Sequence, residues 1–190
     1  GLTIPQLILV VALLNAAVAV YIYSLVPEFL LRFLAWILIR LVYRVRVTGT
    51  EHFPEKGPAL VVCNHVAFTD PIVLTAMCRR PMRFVMDAGI FRIPLISLVF
   101  KGMKAIPVAS AKEDVSVRER AFEAVAKELR DGQIVCIFPE GRLTPDGAIG
   151  EFKPGVLRIL KETPVPVIPA GVSGLWGRSE EHTSELQSRQ

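Results

Sequence analysis

A histidine and an aspartate five positions apart are the first candidates for catalysis. His65 and Asp70 lie in the segment NHVAFTD at 64–70, which follows an apolar run and precedes Pro71. Loops at strand ends commonly carry catalytic groups, and an Asp-Pro pair is typical of a helix start. In a loop that curls into a helix, Asp70 can accept a hydrogen bond from His65, which orients the ring and leaves its other nitrogen free as a base. We predict that these two residues form a catalytic pair.

Two plainer interpretations of the same residues stay open. Asp70 before Pro71 is also what a simple helix cap looks like, and His65 can be a hydrogen-bonded histidine of the interior. The spacing between the two residues is not specific by itself. A second motif is therefore required.

A phosphate-binding motif is predicted at FPEGR, residues 138–142, again at the end of an apolar run. Gly141 permits a ligand to approach the backbone closely, and Arg142 offers a planar guanidinium that suits phosphate. Glu140 can hydrogen-bond an acceptor hydroxyl or hold Arg142 in place. Taken alone, the segment is also compatible with a surface turn that contains a local ion pair.

The cysteines give a different set of expectations. Cys63, Cys78 and Cys136 fall in apolar runs without CxxC spacing, and no histidine completes a zinc site. We therefore predict buried, reduced thiols and no metal site. Cys63 precedes His65 by two residues and would project to the same side of a strand, so a thiol hydrolase is one alternative.

The N-terminal part of the chain is typical of a membrane protein. Residues 2–26 carry no charge, and about 20 apolar residues are enough to cross a bilayer core. We predict a transmembrane helix over 1–26, with a buried core helix as the alternative. At 27–45, helically spaced apolar residues interrupted by Arg32 and Arg40 predict an interfacial amphipathic helix, with packing on the globular core as the alternative. The arginines follow the apolar stretch, which by the positive-inside tendency places the remainder in the cytoplasm.

Composition indicates which partners the chain has. The 190 residues are 52% hydrophobic with a formal net charge of +4. Part of the basic excess follows the apolar stretch, at Arg32, Arg40, Arg44 and Arg46. This placement fits anionic lipid headgroups better than nucleic acid, so we predict membrane lipids as partners and no nucleic acid.

Beyond residue 44, short β-rich runs alternate with helical patterns, which is typical of an α/β domain. Strands are predicted at 44–48, 59–63, 83–86, 105–108, 134–138 and 165–172. Helices are predicted at 71–78, 91–100 and 115–130 and from about 154. We expect a central, mostly parallel or mixed sheet flanked by helices.

Four ordered blocks resemble the glycerolipid acyltransferase family, typified by bacterial 1-acylglycerol-3-phosphate acyltransferases. They are Asn64-His65-x4-Asp70, Phe138-Pro139-Glu140-Gly141-Arg142, Phe152-Lys153-Pro154-Gly155 and Val165-Pro166-Val167-Ile168-Pro169. Four blocks in order are far more specific than any one motif. The resemblance implies a family fold with catalytic His65 and Asp70. It also implies acceptor binding by Glu140, Gly141, Arg142 and Lys153, supported by Asn64, Phe138 and Pro139.

Two departures qualify the resemblance. Many family members carry an arginine in the second block, where this chain has Ala105-Ile106-Pro107-Val108, and the third block lacks the common Thr-Arg-Ser ending. Both features are similar to the acyltransferase part of bacterial 2-acylglycerophosphoethanolamine acyltransferases, which are often fused to a transporter or an acyl-carrier-protein synthetase.

The activity implied is direct acyl transfer from acyl-CoA or acyl-carrier protein to a free hydroxyl of a lysophospholipid, with no cofactor, at the bacterial inner membrane. We expect backbone N–H groups near Pro71 to stabilise the oxyanion. We expect apolar residues at 91–100 to take the acyl chain. A lipid-binding or transporter-regulating module with a vestigial site is the non-enzymatic alternative.

The domain boundaries follow from these patterns. We assign the acyltransferase domain to 46–177 and expect it to be truncated at its C-terminal end. Residues 178–190 resemble a sequencing-library adapter read in one frame, so we predict a non-native tail.

Overall fold

The computed structural model describes residues 3–25, 27–108 and 115–175. The predicted adapter-like tail at 178–190 and the end of the predicted acyltransferase domain at 176–177 lie outside the described residues.

A parallel five-stranded sheet forms the centre of the domain. Its strands are β1 (Ala59–Cys63), β2 (Met82–Asp87), β3 (Ile106–Val108), β4 (Ile134–Ile137) and β5 (Val167–Ala170), in the order β3-β2-β4-β1-β5. All four strand pairings are parallel, with Val61 opposite Cys136 and Ile168. The central strands are runs of apolar residues because helices cover both of their faces.

Helices on the two faces of the sheet give a three-layer arrangement. One face packs against α4 (Pro94–Gly102), through Phe84, Cys136 and Phe100. The other face packs against α5 (Val115–Arg130) and α6 (Gly155–Glu162). Helix α5 presents Ala121, Val125 and Leu129 to the sheet at the expected helical spacing, and it ends before Gly132. The α/β class predicted from the sequence is confirmed, and the sheet proves wholly parallel.

Three local predictions differ from the structure. Residues 44–48 form no strand, because Val45 and Val47 are exposed and pair with no neighbouring strand. The predicted helix at 91–100 begins later, since Ala88–Arg92 form a 3-10 helix and Pro94 starts α4. Strand β5 is shorter than the predicted 165–172.

Two helices precede the domain. Helix α1 (Ile4–Leu25) contains one stretch, Ile4–Ile22, long and apolar enough to cross a membrane, and none of that stretch is buried in the protein. Helix α2 (Pro27–Val42) packs on α4 and on α3 (Asp70–Met77) through a face that includes the buried Ile39. Its opposite face exposes Phe29, Phe33, Leu34, Trp36, Leu38 and Leu41. Helix α2 therefore has a core-packed side and an apolar side turned outward.

Polar contacts fix α2 on the domain. Arg32 donates hydrogen bonds to the carbonyls of Cys78, at 2.7 Å, and Arg79, at 2.9 Å. Arg83 of β2 is buried and forms ion pairs with Glu28 of α2 and, at 3.1 Å, with Glu128 of α5. Arg32 therefore binds the C-terminal end of α3 and is not available as the predicted lipid-headgroup contact.

Candidate active site

The His65 ring lies beside Asp70 at the carboxyl end of β1. The Nδ1 atom of His65 is 2.9 Å from Oδ2 of Asp70. The histidine side chain is 18% exposed, whereas the aspartate side chain is fully buried. Because Nδ1 is engaged by the carboxylate, Nε2 is the ring nitrogen left to act on a ligand.

The loop between β1 and α3 holds the Asp70 carboxylate in place. Its Oδ2 atom also accepts hydrogen bonds from the backbone N–H groups of Val66, at 2.7 Å, and Ala67, at 3.0 Å. Both donors precede the helix, so Asp70 does not act as an ordinary N-cap, whose side chain bonds to N–H groups inside the first turn. The carboxylate thus closes the loop into a tight ring that aims the His65 imidazole.

The backbone of His65 is tied to the loop that follows β4. Its N–H donates to Oε1 of Glu140 at 3.1 Å, and its carbonyl accepts from the N–H of Thr144 at 2.9 Å. The other carboxylate oxygen of Glu140 accepts from the N–H of Gly150 at 2.8 Å. The two loops are therefore joined on both sides of the candidate base.

Glu140 is buried between the two loops that it joins. Its side chain is 4% exposed, and each of its two oxygens accepts a backbone hydrogen bond. It does not pair with Arg142. This geometry makes Glu140 a positioning group for His65 and Gly150, and its contact with an acceptor stays a prediction.

Aromatic and amide contacts complete the support around the ring. Phe138 stacks on the His65 imidazole with ring centroids 4.1 Å apart, and Phe84 backs Phe138 at 6.5 Å. The Asn64 side chain accepts from the N–H of Val172 at 2.8 Å and donates to its carbonyl at 2.9 Å. Asn64 thereby continues the pairing of β1 with β5 beyond the strands.

Gly141, Arg142 and Lys153 line the same cavity as the His65 ring. Gly141 has a φ of +63°, and a Cβ at that position would be 2.6 Å from Nζ of Lys153. The N–H of Lys153 donates to the carbonyl of Pro139 at 2.9 Å, which holds the two segments side by side. Arg142 and Lys153 are both exposed. The left-handed backbone favours glycine at this position, and a larger residue would displace the exposed Lys153 side chain that lies against it.

These groups share a cavity of about 720 Å³ at the carboxyl ends of the strands. His65, Gly141, Arg142 and Lys153 line its polar part. Its apolar part runs between the sheet and helices α5 and α6, along Val85, Ala121, Phe122, Val125, Ile137, Val156 and Ile159. Open parallel sheets commonly bind ligands at this edge. The cavity therefore contains the His65 imidazole, a rim that carries Arg142 and Lys153, and an apolar groove.

The apolar groove is not where the sequence suggested. Residues 91–100, expected to take the acyl chain, pack on the opposite face of the sheet, and none of their described members lines the cavity. Apolar composition alone did not identify which face of the sheet the helix covers.

The predicted oxyanion site also differs. Pro71 has no N–H, and the N–H groups of Asp70, Ile72 and Val73 donate to carbonyls of Ala67 and Thr69. The start of α3 therefore presents no free donor at these three positions.

The alternative nucleophile Cys63 lies in an unsuitable environment. Burial, together with the nearby Asp70 carboxylate, raises the pKa of the Cys63 thiol to about 12. A thiol of this kind is protonated at neutral pH and is a poor nucleophile. Among the described residues there is no group of histidine, cysteine and carboxylate side chains placed to hold a metal ion.

Thr144, Gly150 and Arg118 were not identified from the sequence. Thr144 and Gly150 act through backbone N–H groups, which carry no side-chain signature, and Arg118 reaches the cavity from α5. A Cβ at Gly150 would be 3.0 Å from Oε2 of Glu140, so this glycine permits the close approach of the carboxylate.

The fold and this site define a parallel α/β domain of the acyltransferase class. An acyltransferase family model matches residues 44–173. The chain belongs to this family.

The relatives agree with this membership. The chain is 31% identical over 135 residues to the chloroplastic 1-acyl-sn-glycerol-3-phosphate acyltransferase LPAT1 of Arabidopsis thaliana, covering 70% of this chain and 36% of the relative. It is 29% identical over 128 residues to a 1-acyl-sn-glycerol-3-phosphate acyltransferase of Borreliella burgdorferi, covering 66% of this chain and 50% of the relative. The chain thus spans between about a third and a half of these two proteins.

A solved structure shows the same fold. The crystal structure of the 1-acyl-sn-glycerophosphate acyltransferase PlsC from Thermotoga maritima superposes with a TM-score of 0.51 at 25% identity. The match covers 64% of this chain and 46% of that one.

Proposed function

We propose that this protein transfers a fatty acyl group from a thioester donor, acyl-CoA or acyl-carrier protein, to a free hydroxyl of a lysophospholipid. The observation that carries the proposal is the cavity in which the Asp70-oriented ring of His65, the cations Arg142 and Lys153 and an apolar groove meet. Each of these parts matches one part of the two substrates. The printed names of the relatives, which specify 1-acyl-sn-glycerol-3-phosphate as acceptor, support the same reaction class.

His65 is the general base in this proposal. Its Nε2 removes the proton from the acceptor hydroxyl as the oxygen attacks the thioester carbonyl. The tetrahedral intermediate collapses with cleavage of the C–S bond, and the proton on Nε2 passes to the departing thiolate. Asp70 fixes the ring and stabilises the imidazolium that forms between the two steps. The nucleophile is the lysolipid hydroxyl, so no acyl-enzyme intermediate is needed.

Arg142 and Lys153 bind the acceptor phosphate in this proposal. Both are exposed at the cavity rim, and they are brought together with His65 by adjacent strands, β4 and β1. The phosphate of a lysolipid is attached to the same glycerol that carries the reacting hydroxyl. Cations beside the base therefore suit that phosphate, and guanidinium and ammonium groups both bind it through charge-assisted hydrogen bonds.

The groove under α5 and α6 binds the donor acyl chain. Its walls are valine, isoleucine, alanine and phenylalanine side chains. Each methylene transferred from water to such a surface contributes about 0.8 kcal/mol. The reaction needs no cofactor, because the thioester of the donor substrate is already activated for acyl transfer.

Membrane attachment fits this chemistry. We propose that α1 spans the membrane within 1–26 and that the exposed apolar side of α2, within 27–45, lies at the bilayer surface. The acyltransferase domain of 46–177 would then meet its lysolipid without drawing it out of the bilayer plane. The arginines that follow α1 favour the cytoplasmic side of a bacterial inner membrane.

The test is transfer by the purified full chain in detergent, with acyl-CoA or acyl-carrier protein as donor and lysophosphatidate or lysophosphatidylethanolamine as acceptor. Wild type should form the diacyl product, and His65→Ala should lose roughly 10²- to 10⁴-fold in kcat. His52→Ala is the matched control, since His52 is exposed in the 3-10 helix Thr50–His52, away from the cavity. Near wild-type transfer by His65→Ala would overturn the proposal.

A further inference from the structure

The cavity rim holds more positive charge than one acceptor phosphate requires. Among the described residues that line the cavity, Arg118, Arg142, Lys153 and Arg158 are cations, and Asp87 is the acid. Arg142 and Lys153 are assigned above to the acceptor. The other two cations are Arg118 of α5 and Arg158 of α6.

Arg158 is already engaged with its neighbours. It contacts both carboxylate oxygens of Glu119, one of them at 2.8 Å, and its guanidinium lies 4.1 Å from the centre of the Phe122 ring. These contacts hold α6 against α5. Arg158 therefore has a structural explanation that does not require a ligand.

Arg118 has no comparable explanation. Within residues 3–25, 27–108 and 115–175, its Nε has no hydrogen-bond partner, and the carboxylate oxygen that it approaches, Oε1 of Glu119, is 3.8 Å away. That carboxylate is bound on both oxygens by Arg158. The Arg118 side chain as a whole is 34% exposed and lines the cavity, so an anionic ligand in the cavity can reach it.

Arg118 also stands at one end of the apolar face of α5. Ala121, Phe122 and Val125 follow it at intervals of three, four and seven residues and line the same cavity. Residues at these intervals lie on one face of a helix. Arg118 precedes these residues near the start of α5, so it lies at the mouth of the groove that binds the acyl chain, where the pantetheine arm of a donor emerges.

The sheet order separates Arg118 from the acceptor end of the cavity. Arg118 is near the start of α5, which follows β3 and packs on β3, β4 and β2. Strand β3 is three strands from β1, which carries His65, so at about 4.8 Å per strand these two strands are about 14 Å apart. A phosphate on the same glycerol as the reacting hydroxyl is only a few bonds from His65. A phosphate at the far end of a pantetheine arm can reach this distance from its thioester.

We infer that Arg118 forms a second anion subsite, which binds the phosphate of a phosphopantetheine thioester donor. The inference rests on the proposed function. The phosphopantetheine phosphate is common to acyl-CoA and acyl-carrier protein, so this chemistry defines the donor class. The subsite places the donor phosphate on α5 and leaves Arg142 and Lys153 to the acceptor.

The test compares donors that differ only in that phosphate. Initial rates are measured with acyl-phosphopantetheine and acyl-pantetheine, at saturating lysophosphatidate, for the full-length wild type and Arg118→Gln. Arg118→Gln should raise the KM for acyl-phosphopantetheine roughly 10-fold. The KM for acyl-pantetheine and the KM for the acceptor should not change. Arg120→Gln, on the same helix but outside the cavity, is the control and should match wild type.

The same KM measurements are made with acyl-CoA and with acyl-carrier protein as donors. The natural donor of the two should show the same increase in KM in Arg118→Gln as acyl-phosphopantetheine. Arg118→Lys keeps the charge but lacks the planar guanidinium, so its KM for the donor should lie between those of wild type and Arg118→Gln. Thermal unfolding of each variant checks that the fold is retained.

Three results would contradict the inference. Equal KM increases with the phosphate-bearing and phosphate-free donors would show that Arg118 does not contact this phosphate. An increase in acceptor KM alone would assign Arg118 to the lysolipid. Failure of wild type to use any donor, acyl-pantetheine included, would instead overturn the proposed function and the inference with it.

Discussion

Replacing Glu140 with glutamine separates two roles for this residue, contact with the acceptor and positioning of His65. The Glu140 carboxylate accepts from the N–H of His65 at 3.1 Å and from the N–H of Gly150 at 2.8 Å. A glutamine side chain has one carbonyl oxygen and can satisfy one of these donors. Its NH2 group would face the other donor, which is a repulsive contact.

The magnitude follows from these two bonds. A hydrogen bond to a charged group contributes about 1.5 to 3 kcal/mol, and a buried donor left without a partner costs about 1 to 3 kcal/mol. Because the amide retains one of the two bonds, we expect Glu140→Gln to lower the free energy of unfolding by about 2 to 3 kcal/mol. A displacement of His65 by about 1 Å would reduce kcat on the order of 10²-fold.

The assay is acyl transfer with the acceptor concentration varied, combined with denaturant unfolding of the same samples. We expect kcat and stability to fall while the acceptor KM stays near wild type. Glu151→Gln, an exposed neighbour, serves as the control and should change neither. A raised acceptor KM with unchanged stability and kcat would refute the reasoning and return Glu140 to the predicted acceptor-binding role.

Three further substitutions test other parts of the site. Asp70→Asn keeps the shape of the buried side chain but removes the charge that orients His65. We expect kcat to fall roughly 10³-fold in the transfer assay while circular dichroism shows an intact fold. A wild-type kcat would count against the catalytic pair of His65 and Asp70. Gly141→Ala forces Lys153 to move and places a Cβ at a φ of +63°. It should lower the free energy of unfolding by about 1 kcal/mol and raise the acceptor KM, and an unaltered KM would argue against phosphate binding there. Because the pKa of Cys63 is raised to about 12, Cys63→Ala should keep the wild-type initial rate of transfer between pH 7 and pH 8. Loss of activity in a folded Cys63→Ala variant would instead favour Cys63 as the nucleophile.

Much of the architecture could be predicted because its signals are local. Valine- and isoleucine-rich runs at 59–63 and 134–137 predict strands buried on both faces, and the helical spacing of Ala121, Val125 and Leu129 predicts α5. The His65 and Arg142 loops meet because β1 and β4 are parallel neighbours that end at the same edge of the sheet. The strand assignments alone left a mixed sheet open and therefore did not require this meeting.

The remaining features depend on pairing between distant segments. Whether Val45 and Val47 join a sheet is decided by the availability of a partner strand, which their own alternation does not reveal. The role of Glu140 depends on two backbone N–H groups, one of them 75 residues away. The location of the groove depends on which helix covers which face of the sheet. Tertiary contacts of these kinds leave no mark at a fixed spacing in the sequence.

Chemical rescue of His65→Gly tests whether the His65 ring acts as a general base in this cavity. Glycine leaves a ring-sized space between Asp70 and Phe138, which flank the imidazole in the structure. We expect transfer from acyl-CoA to lysolipid to be lost in His65→Gly and partly restored by added imidazole, in proportion to the concentration of neutral imidazole. Full activity without imidazole would contradict the account.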